Sequence, residues 1–503
     1  MIPVIRVDER DNVAIPVADL PEGSEAGWGV VAREQIPQGH KIALEDIPEG
    51  GAVIRYGVAL GHLLAGVPQG GLITEKMLRL PDSPDLDSLE FATDIDAELP
   101  EAPVKSFEGF EVEGSLFAGT RNILGIMPTV QCVAGVLNGA VKRMRRELLP
   151  RFPHVDDIVA LNHPYGCGVA IDAPEAVVPI RTLRNILRNP NFGGEIMVVG
   201  LGCEKLTADR LLEPEEIRPG NVLMLQEHAG FVKMTDALME MAERKLRRLE
   251  DRRRTTLPFS RLCVGMQCGG SDAFSGITAN PAAGYASDLL VGAGATVLFS
   301  EVTEVRDGVE QLAARCVNSA VGRRLVEEMR WYDEYLRAGG VDRSANPTPG
   351  NKKGGLANIV EKAMGSIAKS GRAPISEALA PGERPSAGGL VFAATPASDM
   401  VCGTCQLASG MTLQVFMTGR GTPYGLAAAP VIKVSSRSNL KDMWSDLIDV
   451  DAGVIASGGA DIRTVGERLF REIVEVASGR THPAAERYRL FNDICLFNPA
   501  PIT

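Results

Sequence analysis

The alternation of apolar and polar stretches sets the first part of the chain apart from the rest. Residues 1–78 contain short apolar stretches that each end in a turn: NVAIPV, GWGVVA, KIALEDI, AVIRYG and GLIT. Their regular spacing predicts a small all-β module. Residues 79–108 are acidic and rich in proline, which predicts an extended linker. The alternative for this stretch is a segment that covers the edge of one domain.

From residue 109 onward, buried strands alternate with amphipathic helices. ILGIMPT precedes the helix VAGVLNGAVKRMRRELL, DIVALN precedes EAVVPIRTLRNIL, and EIMVVGLGCE follows. This βαβ pattern predicts a parallel sheet in an α/β middle domain over residues 109–260. The stripe Leu238, Met241, Leu246 and Leu249 on a charged helix indicates core packing or a subunit contact. The amphipathic helices make this domain the candidate surface of a homodimer.

A second α/β unit is predicted over residues 261–503. It opens with CVGMQCGGSDAFSGITANPA, an apolar strand that breaks into a Gly-rich polar turn and continues as a helix. The further strand candidates are ATVLFSEVTEV, GLVFAATP, MTLQVFMTGRG and PVIKVSS. The pattern predicts a Rossmann-like parallel sheet flanked by helices, with ligands beyond the carboxyl ends of its strands. DRSANPTPGNKKGGLANIVEKA predicts a long functional loop.

Composition narrows the class of protein. Of the 503 residues, 45% are apolar and 23% charged, as in ordinary globular proteins. The net charge of −12 argues against a nucleic-acid partner. No apolar run approaches the roughly 18 residues of a membrane helix, and the N-terminal MIPVIRVDERDN lacks a signal-peptide core. We therefore expect a cytoplasmic protein without a membrane partner.

Eight of the nine cysteines fall into two groups, and Cys405, in CGTCQ, is given no role. Disulfides are not expected in such a chain, so each thiol is a small core residue or a ligand. Those in apolar or helical surroundings are interpreted as structural: Cys132, Cys263, Cys316 and Cys495. Those beside glycines in loops are candidates for function, with an inert buried thiol as the alternative: Cys167, Cys203, Cys268 and Cys402.

The chemistry-bearing residues favour a metal over a nucleotide. The sequence contains no GxGxxG, P-loop or GxSxG motif. Thiols, imidazole and carboxylates at strand ends suit a divalent first-row metal such as iron. His163 and Cys167 lie four residues apart in the turn NHPYGCG. A hydrogen-bonded loop histidine is an equally good interpretation of His163.

Long strings of this sequence are distinctive. IPQGHKIALEDI, GTRNILGI, ALNHPYGCG, GLGCEKL, GMQCGGSDAFSGITANPA, FSEVTEV, DRSANPTPGNKKGGLANIVEKA and TGRGTPYG occur along nearly the whole chain. In them the chain resembles the altronate/galactarate dehydratase family. The resemblance implies an N-terminal β-clip module of the antifreeze-like type. GLITEKMLRL lacks the His-rich turn of altronate dehydratases, which favours the galactarate branch.

The resemblance implies loss of water from the C6 sugar diacid meso-galactarate, giving 5-dehydro-4-deoxy-D-glucarate with an iron(II) requirement. The physical demands agree with this. A proton beside a carboxylate is very weakly acidic, so its removal needs stabilisation of the enediolate by a metal. A positioned base adds about 10²–10⁴-fold. The two substrate carboxylates call for cationic groups, and Arg is the best bidentate partner.

Candidate site residues follow from the loops and from the resemblance. Metal ligands are sought among Cys203, Cys268, Cys402 and His163, with Asp272 and Glu301 as carboxylate alternatives. The general base is sought among His163, Lys352 and Lys353. Substrate contacts are sought at Arg420, Ser271 and Asn280, and in the β module at His40, Lys41 and Arg55, whose presence turn geometry explains equally well.

Three rival interpretations remain open. Within the same class, the chain is an altronate-type dehydratase or a lyase of another hydroxy acid such as sulfolactate. In a different class, it is a non-catalytic sugar-acid sensor, which needs a pocket but neither base nor metal. The third is an iron–sulfur dehydratase using Cys203, Cys268 and Cys402, whose spacings match no cluster motif.

Overall fold

The computed structural model describes residues 3–500 and shows three α/β or β units in chain order. The first is built from three small antiparallel sheets, in the orders β1-β2-β5-β8, β3-β4 and β6-β7-β9. The all-β prediction for the N-terminal region is confirmed. Its strands are β1 (Val4–Ile5), β2 (Val13–Pro16), β3 (Glu25–Gly27), β4 (Val30–Val31), β5 (Lys41–Ala43), β6 (Ala52–Arg55), β7 (Val58–Leu63), β8 (Leu72–Ile73) and β9 (Leu78–Arg79).

Residues 80–105 contain no helix or strand and lie along the C-terminal unit. The amides of Ala92 and Asp94 donate to Ala313 O and Ala314 O, at 3.2 and 2.9 Å. The ring of Phe91 packs on Gly322, where an added Cβ would lie 2.2 Å from Cδ1 of the ring. The acidic segment is therefore extended and fixed to a surface.

The middle unit holds a four-stranded parallel sheet in the order β12-β11-β13-β14. Its strand β11 is buried throughout, as expected for a parallel sheet covered on both faces. The stripe Leu238, Met241, Leu246 and Leu249 packs in the core of this unit. The elements here are β10 (Ser106–Gly109), β11 (Ile123–Pro128), α1 (Ala134–Glu147), β12 (Asp157–Ala160), α2 (Val177–Leu187), β13 (Val198–Gly200), β14 (Val222–Met224) and α3 (Gly230–Glu250).

The C-terminal unit holds a seven-stranded parallel sheet in the order β18-β19-β17-β16-β20-β21-β22. Its strands are β16 (Cys263–Cys268), β17 (Thr296–Phe299), β18 (Ile375–Leu379), β19 (Leu390–Ala393), β20 (Leu413–Thr418), β21 (Val431–Ser435) and β22 (Val450–Asp451), preceded by β15 (Thr255–Pro258), which pairs with β10. Its helices are α4 (Ala279–Gly292), α5 (Val309–Ala314), α6 (Ser319–Ala338), α7 (Pro349–Lys353), α8 (Ile359–Ile367), α9 (Asp399–Ala408), α10 (Ser438–Met443), α11 (Ile462–Ala477) and α12 (Ala484–Arg487).

The strand order confirms the predicted Rossmann-like sheet. From β16 the chain goes to its neighbour β17, then to the edge strand β18, and then back to β19, which lies between β18 and β17. It next crosses to β20 on the other side of β16. Such a reversal opens a crevice beyond the carboxyl ends of the central strands. Cys268, the last residue of β16, lies at this reversal.

Two sequence-based expectations need correction. The predicted strand ATVLFSEVTEV ends at Phe299, because Glu301 leaves the extended conformation with a φ of 75°. The predicted long loop contains α7 and the start of α8. Side-chain caps begin both helices: Thr348 accepts from the amide of Asn351, and Asn358 accepts from that of Glu361.

The middle and C-terminal units share one hydrophobic core. Phe192 and Leu206 of the middle unit pack in the same cluster as Leu407, Phe416 and Tyr424 of the C-terminal unit. Asn191 joins the two by donating from Nδ2 to Ala428 O at 2.8 Å. Their sheets are thus held in a fixed relation. Within the described residues, no helix is long and apolar enough to cross a membrane.

Candidate metal centre and catalytic site

Three potential metal ligands meet at the carboxyl edge of the C-terminal sheet. Cys268 ends β16, Glu301 follows the neighbouring strand β17, and Glu304 ends the short 3₁₀ turn Val302–Glu304. Their ligand atoms all lie within 4.8 Å of one another, and all three residues are buried. A thiol and two carboxyls form a donor set that a first-row divalent ion accepts.

Glu301 is held in an uncommon backbone conformation. Its φ of 75° is left-handed, which few non-glycine residues adopt. Its amide donates to Thr395 Oγ1 at 3.2 Å, which ties the turn to the loop after β19. Oε2 of Glu301 is buried without a hydrogen-bond partner among the described residues. A buried carboxylate oxygen lacking a partner fits a residue whose partner is a bound cation.

Two lysines neutralise this group from one face of a helix. Lys362, Ser366 and Lys369 are spaced four and three residues apart along α8 and the 3₁₀ turn that continues it. Lys362 Nζ lies 2.7 Å from Glu304 Oε1. Lys369 Nζ lies 3.5 Å from Cys268 Sγ and 3.7 Å from Glu301 Oε2. Both ammonium groups therefore lie among thiol and carboxyl groups.

Burial and mutual charge interactions shift the pKa values of Lys369, Glu301 and Cys268. Burial by itself lowers the pKa of Lys369, but Cys268, Glu301 and Glu304 raise it above its ordinary value. Burial and then Glu304 raise the pKa of Glu301 well above its ordinary value. Burial likewise raises the pKa of the Cys268 thiol. A divalent cation would favour the charged forms of all three ligands, so the residues fit a metal.

Asp399 and Cys402 border the group on α9. Asp399 begins the helix, and a Cβ added to Gly269 would lie 2.3 Å from its Oδ1. Burial, and then the charge of Glu304, raises the pKa of Asp399 to about 6. Cys402 is fully buried one turn further on, and burial followed by Glu301 raises its pKa well above the ordinary value. Asp399 is thus a carboxyl with a raised pKa close to Glu304.

Unpaired cations surround the turn after Cys268. Lys353 and Arg420 are exposed and Lys352 is half-buried, and none of them has an ion pair with a described residue. The amide of Arg420 donates to Gly270 O at 2.9 Å. Asn351 on α7 donates from Nδ2 to Ser271 O at 2.8 Å, which fixes the helix of both lysines beside the same turn. These side chains are available for an anionic ligand.

Asp272 stabilises the turn itself. Its Oδ1 accepts hydrogen bonds from the amide of Ser275 (2.9 Å) and the hydroxyl of Ser436 (2.9 Å), and its Oδ2 pairs with Arg437 at 2.9 Å. It therefore has no place in the three-ligand group. Asn280 donates from Nδ2 to Gly365 O at 2.9 Å and joins α4 to α8. Ser271 Oγ is buried without a hydrogen-bond partner in the described structure.

Lys41 and Arg55 anchor the N-terminal module to the C-terminal unit. Lys41 Nζ lies 2.6 Å from Glu361 Oε2, and Arg55 Nη1 lies 3.3 Å from Glu361 Oε1. Arg55 also donates to Ala273 O at 3.0 Å. Both side chains are 2% exposed or less, so their charges face Glu361 and the interface. His40 is half-buried beside Gln38 O, at 3.4 Å from Nδ1.

His163 and Cys203 lie in the middle unit, at the carboxyl edge of its own sheet. His163 Nε2 donates to Pro128 O at 2.7 Å, and Nδ1 accepts from the amide of Tyr165 at 3.2 Å. Burial lowers its pKa to about 4. Because both ring nitrogens are occupied, this environment is unsuited to a general base. The thiol of Cys203 is exposed, whereas Cys268 is buried.

Sequence reasoning did not assign four residues to the site: Glu304, Asp399, Lys362 and Lys369. The spacing of the lysines along a helix was a usable signal, but the helix was hidden inside a predicted loop. Two cysteines interpreted as structural, Cys132 and Cys495, are exposed. The reason is that Cys132 lies in a 3₁₀ turn before α1, where its side chain is turned away from the core that the helix covers.

Comparison with known proteins agrees with this architecture. Three family models match the chain: an altronate/galactarate dehydratase SAF domain at residues 2–81, a D-galactarate dehydratase/altronate hydrolase second domain at 113–250, and a D-galactarate/altronate dehydratase C-terminal domain at 259–502. These ranges correspond to the N-terminal β unit, the middle unit and the seven-stranded unit.

Individual relatives cover nearly the same length. The chain is 55% identical to galactarate dehydratase (L-threo-forming) of Escherichia coli over 99% of this chain and 97% of that protein. It is 32% identical to altronate dehydratase of Bacillus subtilis over 95% of both chains. It is 29% identical to the (2R)-sulfolactate sulfo-lyase subunit beta of Chromohalobacter salexigens, over 73% of this chain and 91% of that one. The chain belongs to the galactarate/altronate dehydratase family.

Proposed function

We propose that this protein is a hydro-lyase that dehydrates galactarate to 5-dehydro-4-deoxy-D-glucarate. The observation that carries the proposal is the 55% identity to a galactarate dehydratase over 99% of the chain, against 32% to altronate dehydratases. The buried Cys268, Glu301 and Glu304 group beside unpaired cations is the chemistry that such a reaction requires. A non-catalytic sensor has no use for a buried charged group of this kind.

The proposed cofactor is iron(II), held by Cys268, Glu301 and Glu304. When bound, it would supply a Lewis acid for the substrate carboxylate and the departing hydroxyl. The ammonium groups of Lys362 and Lys369 offset the remaining negative charge of the ligands. Cys402 lies next to the group, and Asp272 maintains the turn beside it.

Arg420, Lys352 and Lys353 are proposed to bind the two substrate carboxylates. They are the unpaired cations at the mouth of the crevice, and a C6 diacid presents a negative charge at each end. Ser271, with its unpartnered buried hydroxyl, is proposed to orient a substrate hydroxyl. His40 lies on the module that packs against the same turn and is proposed as a further contact.

Asp399 is proposed as the general base that removes the proton beside the carboxylate. With a pKa of about 6, the carboxyl is mostly ionised at neutral pH and can accept a proton. This pKa is also close enough to neutral pH for the carboxyl to keep that proton during the reaction. Lys352 or Lys353 is the alternative base, since neither is held by an ion pair with a described residue. Lys352→Met and Asp399→Asn, compared for the rate of proton exchange at the substrate carbon, separate the two assignments.

The test is anaerobic turnover with and without added iron(II), with galactarate, altronate and sulfolactate as substrates. Galactarate-selective, iron-dependent formation of a keto acid is expected. Cys268→Ala is expected to abolish it, while Cys263→Ala at the buried opposite end of the same strand retains it. No turnover of any of these acids by folded, iron-loaded protein would contradict the proposal.

A cytoplasmic location and a homodimer through the middle unit are also proposed. The dimer is supported by Phe231 and Val232, which are 59% and 66% exposed on the first turn of α3. Sedimentation of the wild type and of Phe231→Asp checks it. A wild-type monomer at micromolar concentration would contradict the dimer.

A further inference from the structure

The carboxyl edge of the middle sheet carries three exposed thiols. Cys132, Cys167 and Cys203 follow β11, β12 and β13, which are neighbours in the order β12-β11-β13. Each cysteine comes within seven residues of the end of its strand. All three side chains are exposed, although free cysteine is ordinarily among the most buried residue types. Parallel strands bring their carboxyl ends to one edge, so these thiols share one location.

Backbone contacts bring the three loops together at Gly166. Its carbonyl oxygen accepts from the amides of Lys205 and Leu206, at 3.0 and 3.3 Å. A Cβ added to Gly166 would lie 2.1 Å from Thr129 O, so the two backbones are in direct contact. Cys167 is next to this contact, Cys203 is two residues from Lys205, and Cys132 is three residues from Thr129. At about 3.8 Å per residue, the Cα atom of each cysteine lies within about 12 Å of a residue in this contact.

Glycines with positive φ and hydrogen bonds from backbone amides to Glu204 fix the conformation of the loops that carry the thiols. Gly166 and Gly168, on either side of Cys167, have φ of 112° and 66°, and Gly202 before Cys203 has φ of 128°. Side chains with a Cβ rarely adopt these conformations. Glu204 accepts the amides of Leu201 (3.0 Å) and Gly202 (2.7 Å). The loops at this edge therefore have a defined conformation.

His163 and Gln226 complete this structure. His163 joins the end of β11 to the turn that contains Cys167, through its bonds to Pro128 and Tyr165. Gln226 Nε2 points at Cys203 Sγ from 3.7 Å. Amide donors directed at sulfur are a recurring feature of thiolate-bound iron centres, because they stabilise charge on the sulfur. The motif NHPYGCG thus has a structural explanation at this edge.

The distance between the sulfurs distinguishes a single metal ion from an iron–sulfur cluster. Among the described residues, the only three Cys, His, Asp or Glu ligand atoms within 4.8 Å of one another are those of the Cys268 group. The three exposed sulfurs are therefore not all within 4.8 Å of one another. A single tetrahedral ion with bonds of about 2.3 Å needs sulfurs about 3.8 Å apart. A cubane cluster, which takes one cysteine on each of several irons, needs wider spacing.

We propose that Cys132, Cys167 and Cys203 bind a [4Fe–4S] cluster through three of its irons, leaving the fourth iron open to an oxygen ligand. The three thiols release their protons to solvent when they bind. A [4Fe–4S]²⁺ cluster is assembled from two ferrous ions, two ferric ions and four sulfides, so no further oxidant is required. This site is separate from the Cys268 group and does not depend on the galactarate assignment.

The test is anaerobic reconstitution of the full-length chain with ferrous iron, ferric iron and sulfide. After desalting, about four irons and four acid-labile sulfides per chain are expected, with a charge-transfer absorption band. Cys132→Ser, Cys167→Ser and Cys203→Ser are each expected to lose most of the sulfide. Cys495→Ser is the matched control, because Cys495 is also exposed but lies on a different segment, with its amide bonded to Thr404. It is expected to retain the full cluster.

Two further measurements separate a failure of the cluster proposal from a failure of the galactarate proposal. Cys268→Ala is expected to lose turnover while retaining the sulfide, so failure of the galactarate proposal is read separately from failure of this one. Mass spectrometry after alkylation is expected to show Cys132, Cys167 and Cys203 protected in the reconstituted wild type and modified in the metal-free chain. Bound metal without sulfide, equal sulfide in the wild type and the three serine variants, or no protection would overturn the proposal.

Discussion

Two parallel sheets of this protein end in cysteine-containing loops, and the two edges differ in nearly every physical respect. At the C-terminal sheet, Cys268 is buried with Glu301 and Glu304, and two lysines offset their charge. At the middle sheet, Cys132, Cys167 and Cys203 are exposed. The same topology thus produces two different environments for cysteine, because the residues packed over each edge set its dielectric environment and its charge.

The largest effect is expected from a charge change at the buried edge. Glu304→Gln removes one ligand and leaves Lys362 without its partner. We expect turnover to fall by at least about 100-fold, as when a group that stabilises transition-state charge is removed. The measurement is kcat together with bound iron. Glu327→Gln, at an exposed position of α6, is the control and should match wild type; an active Glu304→Gln would remove Glu304 from the centre.

The second prediction concerns the ion pairs that anchor the N-terminal module to the C-terminal unit. Glu361→Ala leaves Lys41 and Arg55 as buried charges without a counter-ion. Breaking such a pair costs about 3–5 kcal/mol, so the N-terminal module should detach at lower denaturant concentration. Limited proteolysis of the module in a urea series measures this. Glu22→Ala on its exposed surface is the control, and identical cleavage of both variants would show that the anchor lies elsewhere.

The pH dependence tests Asp399. Its folded pKa of about 6 lies above the ordinary value of 3.8, so the native state binds the proton more tightly. Its contribution to the free energy of unfolding is therefore full below pH 3.8 and is lost as pH rises through about 6. Activity should run the other way, falling below about pH 6 because the base must be ionised.

Asp399→Asn should abolish this acid limb and slow turnover by about 10²–10⁴-fold. It should also raise the free energy of unfolding relative to wild type at pH 8, and leave the two proteins more nearly alike at acid pH. A pH–rate profile and denaturation at both pH values check the prediction. An unchanged acid limb in the variant would assign it to another group.

The smallest effect is expected at the exposed edge of the metal-free chain. Cys203→Ser replaces an exposed thiol and should change the free energy of unfolding by less than about 0.5 kcal/mol. Cys268→Ser places a hydroxyl in the buried group and should cost more. Urea denaturation of both variants compares the two edges directly. Equal costs would mean that burial does not distinguish the sites.

Sequence pattern was a reliable guide to the elements whose hydrophobic period is strong. The strand CVGMQC, the helix that follows it and the short strands before residue 78 all lie where their patterns predict. The helix Pro349–Lys353 was missed because PGNKK has no apolar period, and the start of the helix Ile359–Ile367 was placed in the same loop. The caps Thr348 and Asn358 are nevertheless visible in the sequence. Local capping signals carried information there that periodicity did not.

The site was harder to predict from sequence, for a reason that lies in the distances along the chain. Cys268 and Glu301 were candidates from the sequence, because carboxyl ends of parallel strands meet at one edge. Lys41, Arg55 and Glu361 are an ion-pair cluster made by residues about 300 positions apart, and no local pattern reveals such a pair. His163 had the right chemistry for a base, and only its hydrogen-bond partners show that both nitrogens are occupied.

The sequence by itself determined the three units, the parallel sheets and the family, because apolar periodicity and long distinctive strings are local properties. The tertiary structure decided which polar residues meet. It separated nine cysteines into five buried and four exposed, joined Cys268 to Glu301 and Glu304, and brought Cys132, Cys167 and Cys203 to one edge. The physical reason is that charge and burial depend on neighbours from distant segments, which strand order and packing alone bring together.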